Sequence, residues 1–169
     1  QTFIYMPANG IVQGMRPIIG YNYGAGKIKR VKTTIRYSLF AAAVLMLIGT
    51  ILSLGFPKMI LGMFQADAEL LSAGTLALRL ISLGFLVSSM GIIACGVFEA
   101  VGKGMQSLII SLLRQLVIIL PLGFILSGFV GAAGIWISFP IAELLAAVVA
   151  CVLMKKLDGG TYFPFGKGE

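Results

Sequence analysis

Few residues of this chain could do chemistry, and the most informative of them stand where charge is costly. Arg114 with Gln115, and Glu143, each interrupt a long apolar run. A charge at the centre of a membrane helix costs about 2.5–3.5 kcal/mol on the insertion scale, so such residues need a reason. The two runs are joined through the glycine-containing break at 128–131 and form an antiparallel hairpin. Counting about 14 or 15 residues backward and forward from Phe129, at 1.5 Å each, sets Arg114 and Glu143 at one depth. An ion pair is expected. A paired Glu143 is a structural latch or a rearranging switch, whereas an unpaired one is a proton carrier. Pro140 precedes it on the same helix and loosens the backbone there.

Two further stripes follow helical spacing. Asn9, Gln13 and Arg16 are separated by four and three, so they share a face, with Gly10 and Gly14 beside them. That face either lines a cavity or holds the bundle together through interhelical hydrogen bonds. Gly84, Ser88, Gly91, Cys95 and Glu99 step by four, three, four and four, a small-residue stripe that lets another helix approach closely. Glu99 and Lys103 read as an i,i+4 ion pair at a helix boundary, without a catalytic role.

Much chemistry is excluded. The sequence has no histidine, so imidazole cannot serve as ligand, base or nucleophile partner, and proton chemistry falls to carboxylates. Cys95 and Cys151 lie inside apolar stretches, which supports neither a disulfide framework nor a metal site. Gly24-Ala25-Gly26 has neither the glycine spacing nor the preceding strand of a phosphate loop. The reading is of a non-enzyme without cofactor or metal.

The elements that must position these residues follow from composition. Of 169 residues, 59% are hydrophobic and 11% charged, and the mean hydropathy is +1.02. Soluble domains carry about a quarter charged residues, and disorder needs far more charge than this. The fold class is all-α: a polytopic transmembrane helix bundle in a lipid bilayer. Five spans are expected, at 3–23, 37–61, 76–98, 107–126 and 132–154, the first interrupted by prolines and glycines and kinked near Pro17. The net charge of +7 is placed as a membrane protein places it and does not point to nucleic acid. Lys27 through Arg36, Lys103, Lys155, Lys156 and Lys167 fall on one side, against Lys58, Arg79, Asp67 and Glu69 on the other. The first side is expected to be cytoplasmic, with residues 158–169 a cytoplasmic tail of an inner-membrane protein. The start at Gln1-Thr2-Phe3, without a Met or signal pattern, and the odd helix count read as the C-terminal piece of a longer protein.

The stretch Gln13-Gly14-Met15-Arg16-Pro17-Ile18-Ile19-Gly20-Tyr21-Asn22-Tyr23-Gly24-Ala25-Gly26, followed by Lys27, Arg30 and Val31, resembles the signature of multidrug and toxic compound extrusion (MATE) transporters. Gly14, Pro17, Gly20, Tyr23 and Gly24 carry the motif. Phe98-Glu99-Ala100-Val101-Gly102-Lys103-Gly104, Leu113-Arg114-Gln115 with Pro121, and Gly134-Ile135-Trp136 with Pro140 and Glu143 resemble later helices of the same family. The resemblance implies five helices of a twelve-helix, two-lobe transporter, with residues 1–157 a partial C-terminal lobe and the N-terminal lobe as missing partner. It implies export of cationic or amphipathic compounds by antiport with H+ or Na+ through alternating access, with Asn9, Gln13 and Met and Phe side chains along the cargo path. Some members carry a cation-site acid in the helix matching 76–98, where this chain has none, which turns the coupling site toward the absent lobe. The alternatives are a lipid-linked saccharide flippase of the same superfamily, or a truncated, non-transporting helical membrane scaffold.

Overall fold

The computed structural model describes residues 2–62 and 68–160. Asp67, Lys167 and the tail from Thr161 onward, which figure in the expected topology, lie outside the described residues. Every described element is helical: α1 (Thr2–Gly24), α2 (Ile28–Gly55), α3 (Pro57–Gly62), α4 (Ala68–Ser82), α5 (Phe85–Ala100), α6 (Gly104–Leu112), a π-helical turn (Leu113–Val117), α7 (Ile119–Val130), α8 (Ala132–Lys156) and a closing 3-10 turn (Leu157–Gly160).

The bundle is inverted relative to a water-soluble one. Ser53, Ser82, Ser88 and Ser138 are fully enclosed, while Phe124 and Phe129 are each 83% exposed. Interior serines satisfy themselves locally, as where Ser88 Oγ donates to the carbonyl of Phe85 (2.7 Å) and Ser138 Oγ to that of Ile135 (2.6 Å). So much outward apolar surface is stable only against lipid. On α2 the stripe Val31, Ile35, Ser38, Ala42, Met46, Gly49 and Ser53 turns inward, and Tyr37, Phe40, Leu47, Ile48 and Ile51 turn outward. α5 is the central helix, packed on α1, α2, α6 and α8. Its buried Phe85, Ile93, Val97 and Phe98 join Val12, Met15 and Ile19 of α1 and Val31 and Ile35 of α2 in one core.

The boundaries depart from the expected ones for identifiable reasons. α2 starts at Ile28, nine residues before the expected 37, because lysine and arginine are good helix formers. The basic cluster therefore rides on the first turns of α2. α2 ends at Gly55, and Pro57 opens α3 at its first position, where its missing N–H costs nothing. The expected continuous span 76–98 is instead two helices, bent by 57° where Leu83 and Gly84 break them. The fourth span runs from Gly104 to Val130 and contains the π turn. α1 is one continuous helix through both Pro7 and Pro17.

Among the described residues three helices, or four with the bent pair counted as one span, are long and apolar enough to cross a membrane. α1, at 23 residues or about 34 Å, has the length but not the apolarity. Asn9, Gln13, Arg16 and Asn22 dilute it, and its neighbours α2 and α5 cover part of its surface. Gly131, at φ +66°, makes the turn between α7 and α8 in a backbone region suited to glycine. Beyond it the hairpin closes so tightly that a Cβ on Gly134 would meet the backbone of Leu126 and Ser127.

Candidate functional site

A cavity of about 550 Å³ opens between α1, α5, α8 and the π turn. Its wall on α1 is the face of Tyr5, Asn9, Val12 and Arg16, with spacings of four, three and four. Gln13 lies at the edge of that face; it is exposed and does not line the cavity. The expected stripe thus divides, Asn9 and Arg16 reaching the cavity and Gln13 not.

The π turn supplies the opposite wall. Ile118 N–H donates to the carbonyl of Leu113 (3.0 Å), the i→i+5 bond that takes one additional residue into the turn. Adjacent residues in such a turn are separated by less than the usual 100°, so Arg114 and Gln115 both reach the cavity. α8 brings Glu143 to meet them. Arg114 Nη1 stands 3.6 Å from Glu143 Oε2, within ion-pair range and beyond hydrogen-bond range. Neither atom has a hydrogen-bond partner in the structure. The second carboxylate oxygen, Oε1, accepts a hydrogen bond from the Tyr5 hydroxyl at 3.1 Å. Tyr5 is steadied by Phe85, edge to face at 5.8 Å between ring centres. The side chains of Arg114 and Glu143 are only 14% and 9% exposed, so the pair is enclosed.

A second pair closes another part of the same cavity. Arg16 forms an ion pair with Glu99, linking α1 to α5. Ser107 Oγ donates to Glu99 Oε1 at 2.8 Å, and Cys95 Sγ lies 3.7 Å from Ser111 Oγ. Both side chains of this pair are 37% exposed, unlike the enclosed one. Glu99, expected beside Lys103 at a helix boundary, makes an ion pair across to Arg16 on α1. The small-residue stripe divides: a Cβ on Gly84 would sit 3.0 Å from Pro140 Cα and 3.4 Å from Glu143 Cγ, a close approach of helices, whereas Cys95 and Glu99 line the cavity. The bend between α4 and α5 therefore rests directly on the helix that carries Glu143.

Tyr5 is the site residue that sequence reasoning passed over. Its only signal is position, four residues before Asn9 on the same face. Among the described residues no three His, Cys, Asp or Glu side chains converge as a metal site would require.

The motif residues of α1 lie mostly apart from the cavity. A Cβ on Gly20 would sit 3.1 Å from the carbonyl oxygen of Ala100, so that glycine lets α1 and α5 meet. Gly14 and Pro17 face outward, Tyr23 packs against the core, and Gly24 ends the helix. Comparison with known proteins gives this arrangement its place: the MatE family profile matches residues 1–125.

The chain belongs to the MATE family.

Its MATE relatives agree. The multidrug export protein MepA of Staphylococcus saprophyticus is 28% identical over 148 residues, covering 88% of this chain and 32% of that protein. MepA of Staphylococcus aureus is likewise 28% identical over 148 residues. Among solved structures, the MATE multidrug transporter DinF-BH is 35% identical with a TM-score of 0.85, covering 96% of this chain and 36% of that one. An inward-facing multidrug resistance MATE family transporter of the MOP superfamily, 19% identical, has the same fold with a TM-score of 0.88 over 98% of this chain and 39% of its own. The chain spans about a third of the length of the relatives it matches. With its apolar helices, it is a multi-pass MATE-family membrane protein.

Proposed function

We propose that this chain forms part of the C-terminal lobe of a secondary active transporter that exports cationic or amphipathic compounds in exchange for H+ or Na+. The lobe partners with an N-terminal lobe in the cytoplasmic (inner) membrane, and its own C-terminus faces the cytoplasm. The single observation that carries this reading is the enclosed Glu143, set between the Tyr5 hydroxyl and the Arg114 guanidinium on a cavity wall. An ion pair at 3.6 Å without a hydrogen bond is easily exchanged for another arrangement. A cation arriving near Glu143, proton or cargo, competes with Arg114 for it. Asn9 and Gln115 add neutral hydrogen-bonding groups to the same walls. Gln13 borders the path from the exposed side of α1.

Alternating access in this reading is a rocking of whole lobes. This stretch aligns with TM-scores of 0.87 and 0.88 to transporters solved in outward-facing and inward-facing conformations, which suits a body that moves as a unit. The balanced lining speaks against a lipid-linked saccharide flippase: Arg16 is paired with Glu99 and Arg114 with Glu143, leaving no cationic excess for a polyanionic cargo.

The test is ethidium efflux from cells expressing the whole reading frame that contains this chain, wild type against Glu143→Gln, under imposed H+ and Na+ gradients. Loss of efflux in a variant that still folds and inserts is the expected result, and the gradient that drives the wild type identifies the coupling ion. Undiminished efflux in Glu143→Gln would reduce Glu143 to packing for Arg114.

A further inference from the structure

A second cavity, of about 560 Å³, lies between α2, α5 and α8, away from the paired charges. It is a groove. Arg36 stands at its basic end, and Phe40, Ala43, Leu86, Met90 and Cys151 form apolar walls. Arg36, Phe40 and Ala43 are spaced by four and three, so one face of α2 runs from charge into grease. Toward the start of α2 the same face continues with Lys32 and Lys29, one and two turns before Arg36. On α8, Lys155 follows Cys151 by one turn. Cations of two helices thus gather at one end of an apolar slot.

Among the described residues no ion pair answers the three cations on this face of α2. Glu99 and Glu143, the acidic residues of the helices that line the cavities, are engaged with Arg16 and Arg114. Arg36, Lys32 and Lys29 have no carboxylate partner among the described residues. Arg36 lies about 12 Å along α2 from Ile28, within snorkelling reach of the membrane surface. A ligand for this groove must be anionic at the surface and apolar along the bilayer normal.

We propose that the groove is a binding site for one anionic phospholipid, an acyl chain lying between Phe40, Leu86 and Met90 and the phosphate held by Arg36 with Lys32. A guanidinium can bind phosphate through two parallel N–H donors, which fixes the headgroup where a diffuse basic surface would only attract it. The chain supplies the rest of the affinity by filling a slot whose walls come from three helices. The site is independent of the transport reading, because it needs only that these helices lie in a bilayer.

The experiment is native mass spectrometry of the full-length protein, delipidated in detergent and resupplied with equal amounts of phosphatidylglycerol and phosphatidylcholine. Phosphatidylglycerol is expected to be retained preferentially. In Arg36→Gln that retention falls about five-fold or more, the factor contributed by one cation near an anionic membrane surface. Ala43→Phe keeps every cation and fills the slot, and it too lowers retention, separating a seated chain from plain charge attraction. Met90→Phe fills the slot from α5 and replaces Ala43→Phe should that variant fail to fold. Equal retention of the two lipids, or retention unmoved by both kinds of variant, overturns the site.

Discussion

Tyr5 and Glu143 are 138 residues apart in the chain and joined by a hydrogen bond of 3.1 Å. This bond ties the first turns of α1 to the middle of α8, and it leaves only the other carboxylate oxygen facing Arg114. The three side chains form a unit in which a change at one is felt by the other two.

Tyr5→Phe removes the hydroxyl and keeps the ring against Phe85. A hydrogen bond to a charged group contributes about 1.5–3 kcal/mol, so a fall in efflux of about ten- to a hundred-fold is expected if the bond orients Glu143 during transport. Initial rates of ethidium efflux, normalised to membrane-inserted protein, measure it. A rate equal to wild type would show that Tyr5 does no more than pack.

Removing one member of the enclosed ion pair leaves the other buried and uncompensated. Arg114→Met alone and Glu143→Met alone should each destabilise the protein by about 3–5 kcal/mol, while the double variant recovers most of the loss. Thermal unfolding of the purified full-length protein in detergent reads this directly. Additive losses in the double variant would mean that the two groups do not interact.

The half-exposed pair is expected to behave differently. Because Arg16 and Glu99 are 37% exposed, Glu99→Gln should cost no more than about 1 kcal/mol of stability. The exchange Arg16→Glu with Glu99→Arg should restore whatever efflux the single changes lose, since the pair's geometry is kept. Failure of the exchange would locate the effect in one residue alone.

Gly134→Ala places a Cβ against the backbone of Leu126 and Ser127, whereas Gly128→Ala meets nothing within 4 Å. The first should lower stability by at least about 1–3 kcal/mol, the usual range for overpacking, and the second should be close to neutral. Yield of membrane-inserted protein from parallel expressions distinguishes them. Equal yields would show that the hairpin can open without loss.

The hairpin was the most legible part of the sequence. A short turn between two antiparallel helices is a ruler, and counting residues from Phe129 brings Arg114 to Glu143 without knowledge of anything else. Apolar content likewise announces a helical membrane protein. The break at Leu83 and Gly84 was hidden, because a lone glycine within an apolar run looks like any other packing glycine. The close neighbour of that glycine is Pro140 of α8, distant in the chain. Arg16 and Glu99 were both visible as charges, but their meeting depends on how α1 lies along α5, which spacing within one helix does not encode. The start of α2 was misplaced because a cluster of lysines and arginines can be read as loop when its residues favour helix.

The wide turn at Leu113–Val117 stores one surplus residue inside an otherwise regular rod. Handing that residue to a neighbouring turn would exchange one backbone hydrogen bond for another and leave both ends of the rod in place. Each such step would swivel Arg114 about the rod's axis, toward Glu143 or away from it. In that geometry a small backbone slip would become the making or parting of a charge pair.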